Sequence, residues 1–455
     1  MFKIFKRQND LKIDSEKAYY KHLFYIMMAC FVFVFFLMAF MTHGTSFKGI
    51  FFKDVSDTFM DHYNSVVYNA VDPYENGVVY PPLATFTYGC LLKLIPGDTF
   101  NAIVSDPTIL SQSRDIKVSQ GFVFQFILFS VITFLGLMIV IYLCKKGSTY
   151  EKMAFSLLIC MTTPVLFAIE RGNNIIIPLF FSLIFVSCYD SENKIIREIA
   201  LISLALAVAF KLYPIAFGVL LFRNKQYKEL VRAGIYCIVF TVLPFFIFYN
   251  GFDSMRIFIE RLTAYDGKKS STVKIDGQLS FKGIFYYITG FLRLRFSNTE
   301  LLSNIFRYIM TGLCIGFAFL TKSNWKAATL CACFICGFQG VCPQYLLVFF
   351  IVPVMMFLDQ EKKKSYVNYI CLIFLVLIIA PIVLPDPNTS VWSTYTSSKV
   401  SSLSILAVAL IICADTTFDY IMKLIRHIKR KNRKSSVVTE DSASLPLIDG
   451  GLNND

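Results

Sequence analysis

The stretch His22–Met41, HLFYIMMACFVFVFFLMAFM, is an almost unbroken run of Phe, Met, Leu, Val and Ala. A helix of about twenty residues rises about 30 Å, the thickness of a bilayer's hydrocarbon core. Lys3, Lys6, Arg7, Lys12, Lys17 and Lys21 precede it, which by the positive-inside rule puts the N-terminus in the cytoplasm. Similar runs recur along the 455 residues, which are 56% hydrophobic and 16% charged with a mean hydropathy of +0.58. A soluble domain is roughly half apolar and a quarter charged. The apolar surface is therefore spread over many spans and is not one cleavable signal. Lipid offers backbone N–H and C=O groups no partner, so each span must be helical. The expected fold is all-α: a polytopic integral membrane protein of roughly 11–13 transmembrane or re-entrant helices.

The formal net charge of +13 comes from short basic runs beside apolar segments. That distribution suits loops facing anionic lipid and argues against nucleic acid as a partner. Most of the 13 cysteines lie inside apolar runs, where a thiol behaves as a small hydrophobe. Cys331, Cys333 and Cys336 have no histidine or further polar ligand nearby, so packing is their expected role.

Residues 1–21 form a basic cytoplasmic N-terminus, 22–425 the membrane domain, and 426–455 a basic cytoplasmic tail that is expected to be structureless after Lys434. Residues 44–119 make a first outer loop region. Within it, Leu83–Ile95 is bracketed by Pro81, Pro82 and Pro96. It is too short for a full span and is expected to re-enter or lie along the surface. Residues 250–302, rich in Gly, Lys and Tyr, are expected to form a large outer loop.

Three polar constellations fall on the outer face in this topology. The first joins Asp57, Asp61 and Asp72 to Tyr63, Tyr68, Tyr74 and Tyr80, the last leading into Pro81-Pro82. A carboxylate in a partly dry site beside the bilayer can act as a general base towards a hydroxyl. The second is Glu170-Arg171-Gly172-Asn173-Asn174, wedged between two apolar runs, where unpaired charge is costly. Glu170 and Arg171 form either a structural ion pair or part of a site. The third is Lys211 in FKLYP, which either snorkels to the surface or, with Arg171, offers a phosphate one point charge and one bidentate fork.

The order DHYNSVVYNAVDPY, VYPPLATFTYG, ERGNN and KLYPIAFGVLLF resembles the polyprenyl-phosphate-mannose-dependent alpha-mannosyltransferase-like family of the glycosyltransferase C superfamily. The resemblance covers about the first half of the chain, and no one of these motifs is specific by itself. It implies a GT-C-like bundle with a wet cavity opening outward on a cell (plasma or inner) membrane, while the basic runs put both termini in the cytoplasm. It further implies a polyprenyl-phosphate-linked sugar as donor and a glycan or glycolipid as acceptor. The family's catalytic acid falls on Asp61 by its spacing to Pro73-Tyr74, with Asp57 as the competing assignment. Tyr80, Glu170, Arg171, Asn173, Asn174, Lys211 and Tyr213 make up the candidate substrate-binding set. Glu170-Arg171 departs from the family's commoner Gly-Gln lead into the asparagine turn, so the role of Arg171 is not carried over. Some members of the superfamily use a divalent ion. Here no cofactor is expected, because a phosphate is an adequate leaving group and the Asp57–Asp61 pair is a thin donor set.

Two rival functions compete. A transporter or lipid flippase would place polar residues through the depth of the bundle, whereas here the mid-span positions are apolar. A polysaccharide polymerase or ligase could use Arg256, Arg261, Lys268, Lys269, Lys274, Arg293 and Arg295 of the 250–302 region to hold a pyrophosphate-linked glycan.

Overall fold

The structure, a computed structural model, describes residues 18–52, 58–70, 72–105, 120–272, 279–340, 342–361, 365–385 and 392–443. In chain order its helices are α1 (Ala18–Met41), α2 (Met60–Val67), α3 (Pro82–Leu92), α4 (Gly97–Ser105), α5 (Gln120–Cys144), α6 (Thr149–Cys160), α7 (Thr163–Arg171), α8 (Ile176–Cys188) and α9 (Lys194–Phe210). They continue as α10 (Val219–Arg223), α11 (Tyr227–Phe248), α12 (Phe252–Thr272), α13 (Phe281–Phe291), α14 (Thr299–Leu320), α15 (Asn324–Gly337), α16 (Ile351–Gln360), α17 (Tyr366–Ile379) and α18 (Thr394–Ala443). Turns of 3-10 helix at Tyr213–Gly218 and Gln344–Phe350 run directly into α10 and α16. Leu384–Pro385 and Trp392–Ser393 pair as a two-stranded antiparallel ribbon.

Among the described residues, five helices are long and apolar enough to cross a membrane: Tyr19–Met41, Gly121–Cys144, Tyr227–Phe248, Thr299–Leu320 and Ser398–Ile428. The pair α6 and α7, bent by 54° at its break, makes a sixth where it is counted as one broken span. Five shorter apolar helices lie among them. The all-α polytopic architecture expected from hydropathy is thus present. Outer helices carry bare apolar side chains such as Phe33, Phe40, Ile127, Leu135, Ile235 and Ile238, an exposure that only lipid tolerates. Inner segments are different. Every residue from Leu346 to Leu358 is buried, as befits a helix apolar on all sides. Cys331, Cys333 and Cys336 sit fully buried on α15 within the same core, which agrees with the packing role.

Helix α3 has 11 residues, a rise of about 16 Å and half a hydrocarbon core. It packs against α2, α9 and α11. The stretch expected as a large outer loop folds as α12, α13 and the start of α14, with Phe281 and Ile284 buried in the main core. Its polar composition hid the apolar face of FKGIFYYITGF. Likewise, α18 runs to Ala443, past Lys434, because its first helix breakers, Pro446 and Gly450, lie further on.

The charges divide between the two ends of the bundle. At one end Lys145 pairs with Asp359, Lys21 with Glu151 at 2.8 Å, Lys326 with Asp415 at 2.6 Å and Lys322 with Asp419 at 2.8 Å. There Trp325 Nε1 donates to Glu361 at 2.8 Å and Arg223 Nε to the Thr321 carbonyl at 2.6 Å. Tyr345 and Asp359 terminate one continuous helical segment, roughly 20–25 Å apart by helical rise. Tyr345 therefore stands at the other end, together with Lys211 at the close of α9 and Arg171 at the close of α7.

Lys145 and Asp359 have side chains only 1% and 7% exposed, so removing one partner strands a buried charge. Asp359→Asn is expected to cost about 3–5 kcal/mol and to lower the melting temperature in detergent. Lys145→Met combined with Asp359→Leu is expected to recover most of that loss.

Candidate active site

Helix α2 begins on Phe59, which is held in the left-handed region at φ +57, a conformation that costs a bulky L-residue of order 1–3 kcal/mol. Two contacts hold it there. The Phe59 N–H donates to the Glu170 carbonyl at 2.7 Å, and its ring stacks on His62 with centroids 4.4 Å apart. This docking lays the first turn of α2 against the C-terminus of α7. That helix ends on Gly172, also left-handed at φ +62, where the Asn173 N–H donates to the Ala168 carbonyl at 2.8 Å. A Cβ at position 172 would lie 2.5 Å from Phe59 Cδ2 and 2.7 Å from His62 Cβ. Glycine is required both by the turn and by the neighbour.

Asp61 faces this turn. Arg171 Nη2 donates to Asp61 Oδ1 at 2.8 Å and Asn173 Nδ2 donates to Asp61 Oδ2 at 2.7 Å. Asn173 is itself aimed, because its Oδ1 accepts the Ile175 N–H at 3.0 Å. The Asp61 and Arg171 side chains are 17% and 18% exposed: mostly dry, yet open to a reactant. Among the described residues each Asp61 oxygen accepts one hydrogen bond, and a carboxylate oxygen can accept a second. Glu170, buried at the same helix end, accepts from Thr58 Oγ1 at 2.9 Å and so ties the approach to α2 onto α7.

Lys211 terminates α9 and is buried. Its ammonium lies 4.6 Å from the Tyr80 ring centroid and 5.4 Å from that of Tyr345, a cation–π arrangement that shelters charge without neutralising it. Among the described residues no carboxylate pairs with it, although Asp61 is near enough to act on it electrostatically. Asn174 is buried next to Asn173, and both its amide atoms lack a hydrogen-bond partner among the described residues. Buried amides are normally satisfied. Four of the segments singled out from the sequence therefore converge: Asp61, Tyr80, the Glu170–Asn174 turn and Lys211. Tyr213 packs against the main core. Asp57 lies outside the described residues. Asp72 folds into a local turn, its Oδ1 accepting the N–H groups of Tyr74 at 2.9 Å and Glu75 at 3.2 Å.

Several participants escaped sequence reasoning. Tyr345 and Tyr88, whose ring lies 5.5 Å from His62 and 6.0 Å from Tyr80, looked like ordinary membrane aromatics. His62 and Gln125 carried a usable signal: Gln125 is a lone amide early in an apolar span, and His62 adjoins Asp61. The two side chains hydrogen-bond at 2.8 Å.

A family model described as Glycosyltransferase family 87 matches residues 120–304. That range holds Arg171, Asn173, Asn174 and Lys211 and stops short of Asp61 and Tyr80. No curated protein and no solved structure gives a match. The match supports glycosyltransferase activity in a multi-pass membrane protein, which is the coarser part of the resemblance drawn from the motifs.

Gly172→Ala is expected to destabilise the protein by about 2–4 kcal/mol through the clash with Phe59 and His62, with a lowered melting temperature as the readout. Burial lowers the His62 imidazole from 6.5 to about 4, against the opposing pull of its hydrogen bond with Gln125. The unfolded chain then binds more protons between those two values, so stability should fall by about 3 kcal/mol as pH drops from 6.5 to 4. Unfolding of wild type and His62→Gln across that range checks this, the variant being expected to show the flatter profile.

Proposed function

We propose that this chain moves a mannose-like sugar from a polyprenyl-phosphate donor to a glycan or glycolipid acceptor, at the end of the bundle that holds Asp61 and on the non-cytoplasmic face. One observation carries the reading: a carboxylate held by Arg171 and Asn173 stands near a buried lysine that no described acid neutralises. The family match to residues 120–304 supports the transfer of a sugar. The apolar helices around the site suit a donor whose tail stays in lipid.

The reaction is an inverting displacement. Asp61 takes the proton of an acceptor hydroxyl, whose oxygen attacks the anomeric carbon from the face opposite the phosphate. The bond between that carbon and the phosphate oxygen breaks, and its electron pair leaves on polyprenyl phosphate. Lys211 stabilises the charge gathering there. Arg171 holds the base in place. Asn174 supplies an amide donor and acceptor, and Tyr80 keeps the ammonium within its sheltered position.

Purified full-length protein, given radiolabelled polyprenyl-phosphate sugars and candidate acceptors, tests this directly. Asp61→Asn is expected to lose at least about 10²-fold in kcat, and Lys211→Ala about 10²-fold in kcat/KM for the donor. Transfer by Asp61→Asn at the wild-type rate would remove Asp61 as base. In that case a loss confined to Asp57→Asn would move the role to Asp57.

A further inference from the structure

We infer that a cleft beside the catalytic helix is a carbohydrate subsite that holds the distal part of a glycan acceptor, an inference that rests on the transferase reading above. The cleft has a volume of about 350 Å³ and is lined by residues that include Asn69, Asp72, Phe86, Gly89, Phe248 and Asn250. Its walls combine the two chemistries that sugars take. Asn69, Asp72 and Asn250 offer amide and carboxylate groups to hydroxyls, while Phe86 and Phe248, stacked at 3.8 Å, give an aromatic edge for the C–H faces of a ring. Asp72 spends Oδ1 on two backbone N–H groups, and its Oδ2 makes no hydrogen bond among the described residues.

The cleft is also tied to the site. Ser65 Oγ donates to the Asp61 carbonyl at 2.6 Å and Asn69 Nδ2 to the Ser65 carbonyl at 2.7 Å. Asp61, Ser65 and Asn69 thus form one i, i+4, i+8 stripe, and the cleft begins about 12 Å from the base by helical rise. That separation suits an oligosaccharide whose end hydroxyl reaches Asp61, and it is too long for a single sugar. Space for it depends on Gly89, where an added Cβ would already lie 3.2 Å from Asn69 Oδ1. A larger side chain there fills the cleft.

Saturation-transfer NMR on the full-length protein in lipid discs, with free mannose and glucose and their di-, tri- and tetrasaccharides as probes, reads the site without chemistry. Wild type is expected to show transfer of saturation to the oligosaccharides and little to the monosaccharides. Gly89→Leu and Phe248→Ala, checked for wild-type elution and melting, should each weaken oligosaccharide binding about tenfold. In the transferase assay both should raise KM for long acceptors by a similar factor and leave kcat unchanged. Oligosaccharide binding unchanged in both variants overturns the inference, as does a wild-type protein that binds monosaccharides equally well. If no lipid-linked donor supports transfer while the two variants still lose oligosaccharide binding, the subsite stands and the transferase reading falls. If transfer proceeds with wild-type KM in both variants, the subsite falls and the transferase reading stands.

Discussion

Everything at the candidate site depends on one half-buried junction, where Asp61 at the start of α2 meets the Arg171–Asn173 turn that ends α7. In a mostly dry site a carboxylate and a guanidinium cannot each stay alone, because desolvating either costs several kcal/mol. Pairing them, with an amide on the second carboxylate oxygen, offsets much of that cost and fixes the relative position of segments 110 residues apart. The backbone adds to the junction through the Phe59 N–H and the Glu170 carbonyl. The same interaction that makes the fold coherent here also orients the proposed base.

A second constraint comes from the ends of the bundle. At one of them, acids and bases are matched pair by pair, Lys145 with Asp359 and Lys326 with Asp415 among them. The far end carries a different pattern. Lys211 is left among tyrosine rings with no described carboxylate as partner, and Asn174 is buried with an unsatisfied amide. Buried polar atoms without a described hydrogen-bond partner occur at both ends, Thr416 beside Asp415 as well as Asn174. Between the two ends, the segment from Leu346 to Leu358 is buried and wholly apolar.

Legibility differed from residue to residue. The helices announced themselves wherever apolar residues run on, as in His22–Met41, which lies within α1. The segment FKGIFYYITGF did not, because its apolar positions are diluted by neighbouring lysines and glycines, and it folds as α13 only by packing against α14, α15 and α18. At the site, Asp61, Arg171, Asn173 and Lys211 stood out as polar residues in costly places. Their pairing did not: Glu170 beside Arg171 suggested a local ion pair, yet Arg171 turns to Asp61, while Glu170 braces Thr58. Tyr74 and Tyr63, which looked like site residues, fill satellite cores.

The sequence alone determined the class, since only continuous helices can satisfy their backbones in lipid and the runs of Phe, Leu, Ile and Val are too long for anything else. It also determined which residues were out of place there, because charge in an apolar stretch is visible without coordinates. Tertiary structure decided which of them meet. Contacts such as Asp61 to Arg171, Lys211 to Tyr80 and Asn69 to Gly89 depend on a left-handed Phe59, a left-handed Gly172 and the angles between helices. None of these leaves a local signature in the chain, because each is fixed by the packing of segments remote in sequence.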